Sequence, residues 1–139
     1  MCGLKGFLNS VNFNKYLNGE QSLYWHADNE KYFKEPDGHV VIVSISFGAT
    51  RKCLSKRSLD VEKNAIEVIL NAGDILIMQG KTQQFWQHTA PPDFALHSYD
   101  KQAIRYNATF RYLINHDATC GCHTKICHTG GIGAHGFSQ

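Results

Sequence analysis

The sequence predicts an all-β fold, a double-sheet jelly roll, and three features carry that prediction. Short apolar segments rich in β-branched and aromatic residues recur along its 139 residues. Turn dipeptides such as Asn18-Gly19, Asp37-Gly38 and Ala72-Gly73 stand between them. No ten-residue stretch carries helical periodicity, and eight short strands joined by turns are the pattern of a jelly roll.

Taken in order, Phe7–Tyr16 is the first strand and stops before Asn18-Gly19. Leu23–His26 is short and aromatic. Val40–Phe47 follows Asp37-Gly38 and is rich in Val and Ile. Lys52–Lys56 comes next. In Ala65–Leu70 the residues Ile66, Val68 and Leu70 alternate, which reads as a strand, although Lys63–Leu70 would also fit a helical turn and a half. Asp74–Met78 follows Ala72-Gly73, Phe85–His88 is short and aromatic, and Ile104–Leu113 closes the set. Composition shifts after Asn115. Residues 116–139 hold four His, three Cys and five Gly with few core formers. The expected organisation is therefore a core over 1–115 and a disordered tail over 116–139.

Hydrophobic residues at 42% and charged residues at 19% suit one soluble core and exclude a disordered or collagenous chain. The longest apolar stretches, such as Val40–Val43 and Ile75–Met78, are strand-sized, so no membrane span is expected. The first ten residues have one Lys and no long apolar region, which predicts no secretory signal and an intracellular, reducing compartment. The five cysteines are then free thiols. A net charge of +2 is too small to argue for nucleic acid by itself. Arg51, Lys52, Lys56 and Arg57 nevertheless crowd together, as do Asp28, Glu30, Glu35 and Asp37.

His26 and Asp28 are two residues apart at the end of a strand, so in extended backbone they share a face. His88 ends another aromatic strand and supplies a third ligand. Two imidazoles and one carboxylate on one side of an octahedral metal leave three positions open, which suits Fe(II), oxygen and a chelating co-substrate. In Ile104–Leu113 the residues Arg105, Asn107, Thr109 and Arg111 share one face. Two arginines on a buried face require an anion, and guanidinium forks grip carboxylates. A dicarboxylate beside the metal would use both. The alternative is a solvent-facing side of an antiparallel sheet.

These segments together resemble the AlkB family of Fe(II)/2-oxoglutarate-dependent nucleic-acid demethylases. The resemblance rests on Asn14-Lys15-Tyr16, on Trp25 to Glu30, on Ser44 to Arg51, on Gly73 to Met78, on Thr82 to His88 and on Arg105 to Arg111. They occur in the family's order over about residues 8–113. The wording SFGATR and GKTQQFWQH is similar to the branch that prefers single strands. The resemblance implies a double-stranded β-helix (cupin-like) oxygenase core that uses Fe(II), O2 and 2-oxoglutarate. It implies that His26, Asp28 and His88 hold iron and make up the catalytic centre. Arg105 would bind the distal carboxylate of 2-oxoglutarate, helped by the Tyr16 hydroxyl, and Asn14, Asn107 and Arg111 would complete that pocket. Glu30 would face the damaged base. Apart from the resemblance, the basic group Arg51, Lys52, Lys56 and Arg57 can supply phosphate contacts, with Arg51 and Lys52 the expected substrate contacts. The expected reaction is oxidative demethylation of bases such as 1-methyladenine and 3-methylcytosine in single-stranded DNA or RNA. Trp25 and Trp86 are read as core residues.

Two departures from the family qualify that expectation. Only thirteen residues precede Asn14, where relatives carry a nucleotide lid, so the lid is expected to be reduced or supplied by a preceding segment or a partner. Cys53 stands where relatives often have an aromatic residue. Alternatives are a 2-oxoglutarate-dependent hydroxylase of a protein or small molecule, and a non-catalytic nucleic-acid-binding module. A monomer is expected. In the tail, Cys120, Cys122, His123, Cys127 and His128 offer five potential zinc ligands in nine residues, at a spacing that is not that of a familiar finger.

Overall fold

A computed structural model describes residues 8, 10–29, 39–96, 103–112 and 133–135. Among these are nine strands: β1 (Ser10–Tyr16), β2 (Leu23–His26), β3 (Val40–Gly48), β4 (Arg51–Arg57), β5 (Ile66–Leu70), β6 (Ile75–Gly80), β7 (Trp86–Ala90), β8 (Arg105–Arg111) and β9 (Gly133–His135). One four-residue helix, α1 (Thr82–Phe85), precedes β7, and a 3-10 turn covers Glu62–Asn64. The strands form a five-stranded sheet in the order β6-β3-β8-β1-β9 and a four-stranded sheet in the order β2-β7-β4-β5. All pairings are antiparallel except β1 with β9. This is the jelly-roll core the sequence predicts. No helix among the described residues is long and apolar enough to cross a membrane.

Register explains what the large sheet points inward. Tyr16 lies opposite Arg105 and Asn14 opposite Asn107. Ser46 also pairs with Asn107, and Ser44 with Thr109. Directly paired residues share a face. The central strands thus carry a buried polar ladder of Ser44, Ser46, Arg105, Asn107 and Thr109 instead of an apolar one. A sheet interior tolerates such a ladder only where its groups satisfy one another or a ligand.

Two glycines are needed where backbones meet. Gly48 sits at φ +80 in the β3–β4 corner, and a Cβ there would lie 2.2 Å from the Ile104 carbonyl oxygen. At Gly19 a Cβ would lie 1.7 Å from the Asp93 carbonyl oxygen. That close approach lets Gly19 exchange backbone hydrogen bonds with Asp93 and Leu96, tying the β1–β2 turn to the segment after β7.

Three sequence expectations differ. Phe85 ends a helix and does not begin a strand. One short turn offers no periodicity to detect. Gly133–His135, inside the predicted tail, pairs with β1 as a strand. The zinc-ligand candidates, Cys120, Cys122, His123, Cys127 and His128, lie outside the described residues.

The third difference is a correction at Arg51, expected to meet phosphate. Its side chain is 2% exposed. Its Nη1 donates to the Asn18 carbonyl at 3.3 Å, and its Nη2 to those of Gln21 at 3.0 Å and Pro91 at 2.6 Å. Strand alternation turns Arg51 and Cys53 inward while Lys52 stays exposed, paired with Glu67 at 3.1 Å. Lys56 is also buried; its Nζ donates to the Asp60 carbonyl and lies 5.2 Å over the Trp25 ring. The four clustered cations are therefore not one solvated patch. Arg51→Met should destabilise the protein by about 3 kcal/mol, because three carbonyls lose a charged donor. Lys52→Met should cost less than about 0.5 kcal/mol, as for other exposed pairs. Urea midpoints compare the two, and equal losses would contradict the clamp assigned to Arg51.

Candidate metal centre and co-substrate pocket

The short β2–β7 ladder places His26 directly opposite His88. Their ring centroids are 4.2 Å apart. Beyond His26 the chain leaves the strand and turns Asp28 inward, 4% exposed. One ligand atom from each of His26, Asp28 and His88 lies within 4.8 Å of the others. His88 Nε2 and Asp28 Oδ2 are 3.7 Å apart. The facing strands and the two-residue spacing thus bring the three residues to one point.

The protonation states suit a metal. The His26 Nδ1 lies 2.7 Å from the Tyr24 carbonyl oxygen, which can only accept. That contact favours a proton on Nδ1. The pKa of His88 is pushed down to about 4, first by burial and then by His26 beside it. The ring is neutral at neutral pH, so its approach to Asp28 is not an ion pair. Arg111 donates from Nη2 to Asp28 Oδ1, which orients the carboxylate. A site of two imidazoles and one carboxylate matches the donor set of a non-haem Fe(II) centre.

The depressed pKa has a consequence for the metal-free protein. Between pH 6.5 and about 4 the unfolded chain protonates its histidines while His88 in the folded chain stays neutral. The unfolded state binds more protons there, so this contribution to stability is lost as pH falls through that window. Thermal unfolding in chelator from pH 7 to 4.5 should show a shallower loss for His88→Asn than for wild type. Parallel curves would contradict a neutral, buried His88.

The cavity extends from these ligands between the two sheets, with a volume of about 260 Å³. Asn14, Tyr16, Arg105, Asn107 and Arg111 all line it, as does Cys53 from the small sheet. Arg105 is 3% exposed. Its Nη2 donates to Ser46 Oγ at 3.0 Å and lies 3.4 Å from Asn107 Oδ1. Ser44 donates to Asn107 Oδ1 at 2.7 Å, and Asn107 Nδ2 to Thr109 Oγ1 at 2.8 Å. Arg105 Nε is buried and has no hydrogen-bond partner. A buried guanidinium with a spare donor is prepared for an anion that completes its fork. The guanidinium carbons of Arg105 and Arg51 lie 5.4 and 5.5 Å from the Tyr16 ring centroid. Burial raises the Tyr16 pKa, so the phenol stays protonated and able to donate. Burial also pushes up the Cys53 thiol, which stays neutral as cavity lining.

Among the remaining expected contacts, Glu30 lies outside the described residues. Trp25 and Trp86 are half-buried. Two contributions were not foreseen. Ser44 and Ser46 form the middle of the polar ladder, and their two-residue spacing within an apolar run was the available signal. Gln83, 2% exposed, accepts the Asp28 backbone N–H at 2.8 Å from 55 residues away. Nothing local in the sequence announces that bond.

Comparison with known proteins agrees with this site. Residues 6–111 match the profile of the 2OG-Fe(II) oxygenase superfamily. The chain is 36% identical over 110 residues to human alpha-ketoglutarate-dependent dioxygenase alkB homolog 3, covering 74% of this chain and 36% of that protein. It is 28% identical over 128 residues to the DNA oxidative demethylase ALKBH2 of Arabidopsis thaliana, covering 76% of this chain and 38% of that protein. Among solved structures it is similar to OsALKBH1, with a TM-score of 0.51 and 26% identity over 66% of this chain and 44% of that one. The chain spans a little over a third of the length of these curated relatives.

Proposed function

The chain belongs to the 2OG-Fe(II) oxygenase superfamily, in its AlkB family, and from that premise we propose that it demethylates N-alkylated bases in single-stranded DNA or RNA. The observation that carries the proposal is the joining, in one cavity, of a two-His, one-carboxylate cluster with a buried Arg105 whose Nε has no partner. The first fits Fe(II), and the second fits the distal carboxylate of 2-oxoglutarate. The name of the Arabidopsis relative describes oxidative demethylation of DNA, which supports the same reading.

His26, Asp28 and His88 would hold the metal. Bound Fe(II), with 2-oxoglutarate and O2, supplies the oxidation of an N-methyl group that ends in succinate, CO2 and formaldehyde. The chain's own groups do the rest. Arg111 orients the Asp28 carboxylate at the metal side. Arg105 and the protonated Tyr16 hydroxyl fix the far end of the co-substrate by charge and by donated hydrogen bonds. Asn14, Asn107 and Arg111, which line the same cavity, would complete the co-substrate pocket. Glu30, two residues beyond Asp28, would face the base, where a carboxylate favours a cationic methylated ring.

A base reaches such a cavity only outside the helical stack. Unpairing it from a duplex costs a few kcal/mol, and about 2.7 kcal/mol corresponds to roughly a hundredfold in rate. With Arg51 and Lys56 buried, fewer surface cations remain to grip a duplex while it opens. Oligonucleotides bearing 1-methyladenine or 3-methylcytosine, single- and double-stranded, should therefore be incubated with the protein, Fe(II) and 2-oxoglutarate, then weighed by mass spectrometry. Faster demethylation of the single strands is expected, by tenfold or more on that scale. Equal rates on duplex, with this chain alone, would refute the strand preference.

A further inference from the structure

Gln83 occupies the second position of α1, which runs directly into β7, the strand that carries His88. Its amide is buried at 2% exposure and bonds in two directions. Oε1 accepts the Asp28 backbone N–H at 2.8 Å, and Nε2 approaches Met78 Sδ of β6 at 3.3 Å. Asp28 lies two residues past the end of β2, and the β2–β7 pairing closes at His26 and His88. The backbone donor of a ligand residue is thus met by a side chain instead of a strand.

That bond has a geometric consequence. Asp28 is the one ligand of the three that stands outside a strand. Its carboxylate is oriented by Arg111 and its backbone by Gln83. Arg111 belongs to the large sheet, whereas Gln83 belongs to the same continuous stretch as His88. The Gln83 bond therefore couples the Asp28 backbone to the stretch that carries His88. Small displacements of a ligand matter because a metal site demands its donors within a few tenths of an ångström.

We infer that Gln83 is a positioning residue of the metal centre, a brace that fixes the Asp28 backbone to the His88-bearing stretch and so sets metal affinity. The inference rests on the reading that His26, Asp28 and His88 bind the metal. It requires a hydrogen-bond acceptor at the end of the side chain. Gln83→Met keeps the length and apolar volume but lacks a strong acceptor. Gln83→Glu keeps a carbonyl oxygen at the same reach.

The test titrates Mn(II), a redox-stable probe for Fe(II), into the metal-free chain. Free Mn(II) is followed by electron paramagnetic resonance without co-substrate. Gln83→Met should weaken binding by about 10- to 100-fold, the range seen when groups that orient metal ligands are removed. Gln83→Glu should stay within about threefold of wild type, because its carbonyl oxygen restores the acceptor. Thermal unfolding of the metal-free proteins, run alongside, shows whether each variant is folded. Wild-type affinity in Gln83→Met overturns the brace. Should the Met variant not fold, Gln83→Glu decides: a loss of tenfold or more in the folded Glu variant overturns the inference, while retained affinity supports it. A wild-type chain that binds Mn(II) no better than His88→Ala removes the metal centre itself, which separates failure of the premise from failure of the brace.

Discussion

Asp28→Ala should leave the protein unable to turn over 2-oxoglutarate, with succinate formation reduced by at least about a thousandfold, or about 4 kcal/mol. Asp28 is the one carboxylate of the cluster, and its removal leaves two imidazoles in front of the Arg111 cation. A divalent ion then meets no compensating charge. Asp28→Asn is the sharper variant, since it keeps the volume and an acceptor oxygen and removes the charge alone. It should lose Mn(II) binding nearly as completely while remaining folded. Substantial metal binding by the Asn variant would show that charge at Asp28 is not what holds the ion.

The second large effect is at the other end of the cavity. Arg105→Ala should raise the 2-oxoglutarate concentration needed for half-maximal turnover by at least about a hundredfold, near 2.7 kcal/mol, and leave Mn(II) affinity intact. Arg105→Lys should also be poor, because an ammonium is a point charge and cannot fork a carboxylate. The Ser46 and Asn107 oxygens around Arg105 are placed for a guanidinium and would be only partly met by a lysine. Full activity in the Lys variant would count against a bidentate grip, and lost metal binding in the Ala variant would place Arg105 in the wrong part of the pocket.

The legible parts of this site are those governed by strand alternation. Arg105 with Asn107 follows from a two-residue period, and the register of β1, β3 and β8 gathers them with Tyr16 and Asn14. The spacing of His26 and Asp28 was legible as well, although Asp28 lies just past the end of β2 and the β2–β7 pairing brings in His88. The same period would have turned Arg51 inward with Cys53. Reading the Arg51–Arg57 cations as a charge cluster obscured it, because proximity in sequence says nothing about which face of a strand each side chain takes. Gln83 was hidden for a different reason. A four-residue helix has no period to detect, and the bond from its side chain reaches across 55 positions. The pairing of Gly133–His135 with β1 is non-local in the same sense, joining the chain's far end to its first strand.

The central claim joins a metal cluster, a co-substrate pocket and a methylated base in one reaction. Its most direct test measures succinate and formaldehyde together. Wild-type chain is incubated with Fe(II), 2-oxoglutarate and air, with and without a single-stranded 3-methylcytosine oligonucleotide, and His88→Ala is run in parallel. The account predicts formaldehyde that requires the methylated strand, appears one for one with succinate above the background without oligonucleotide, and is absent in His88→Ala. Iron-dependent succinate that the methylated strand does not stimulate, with no formaldehyde, would contradict it and assign the oxygenase another substrate.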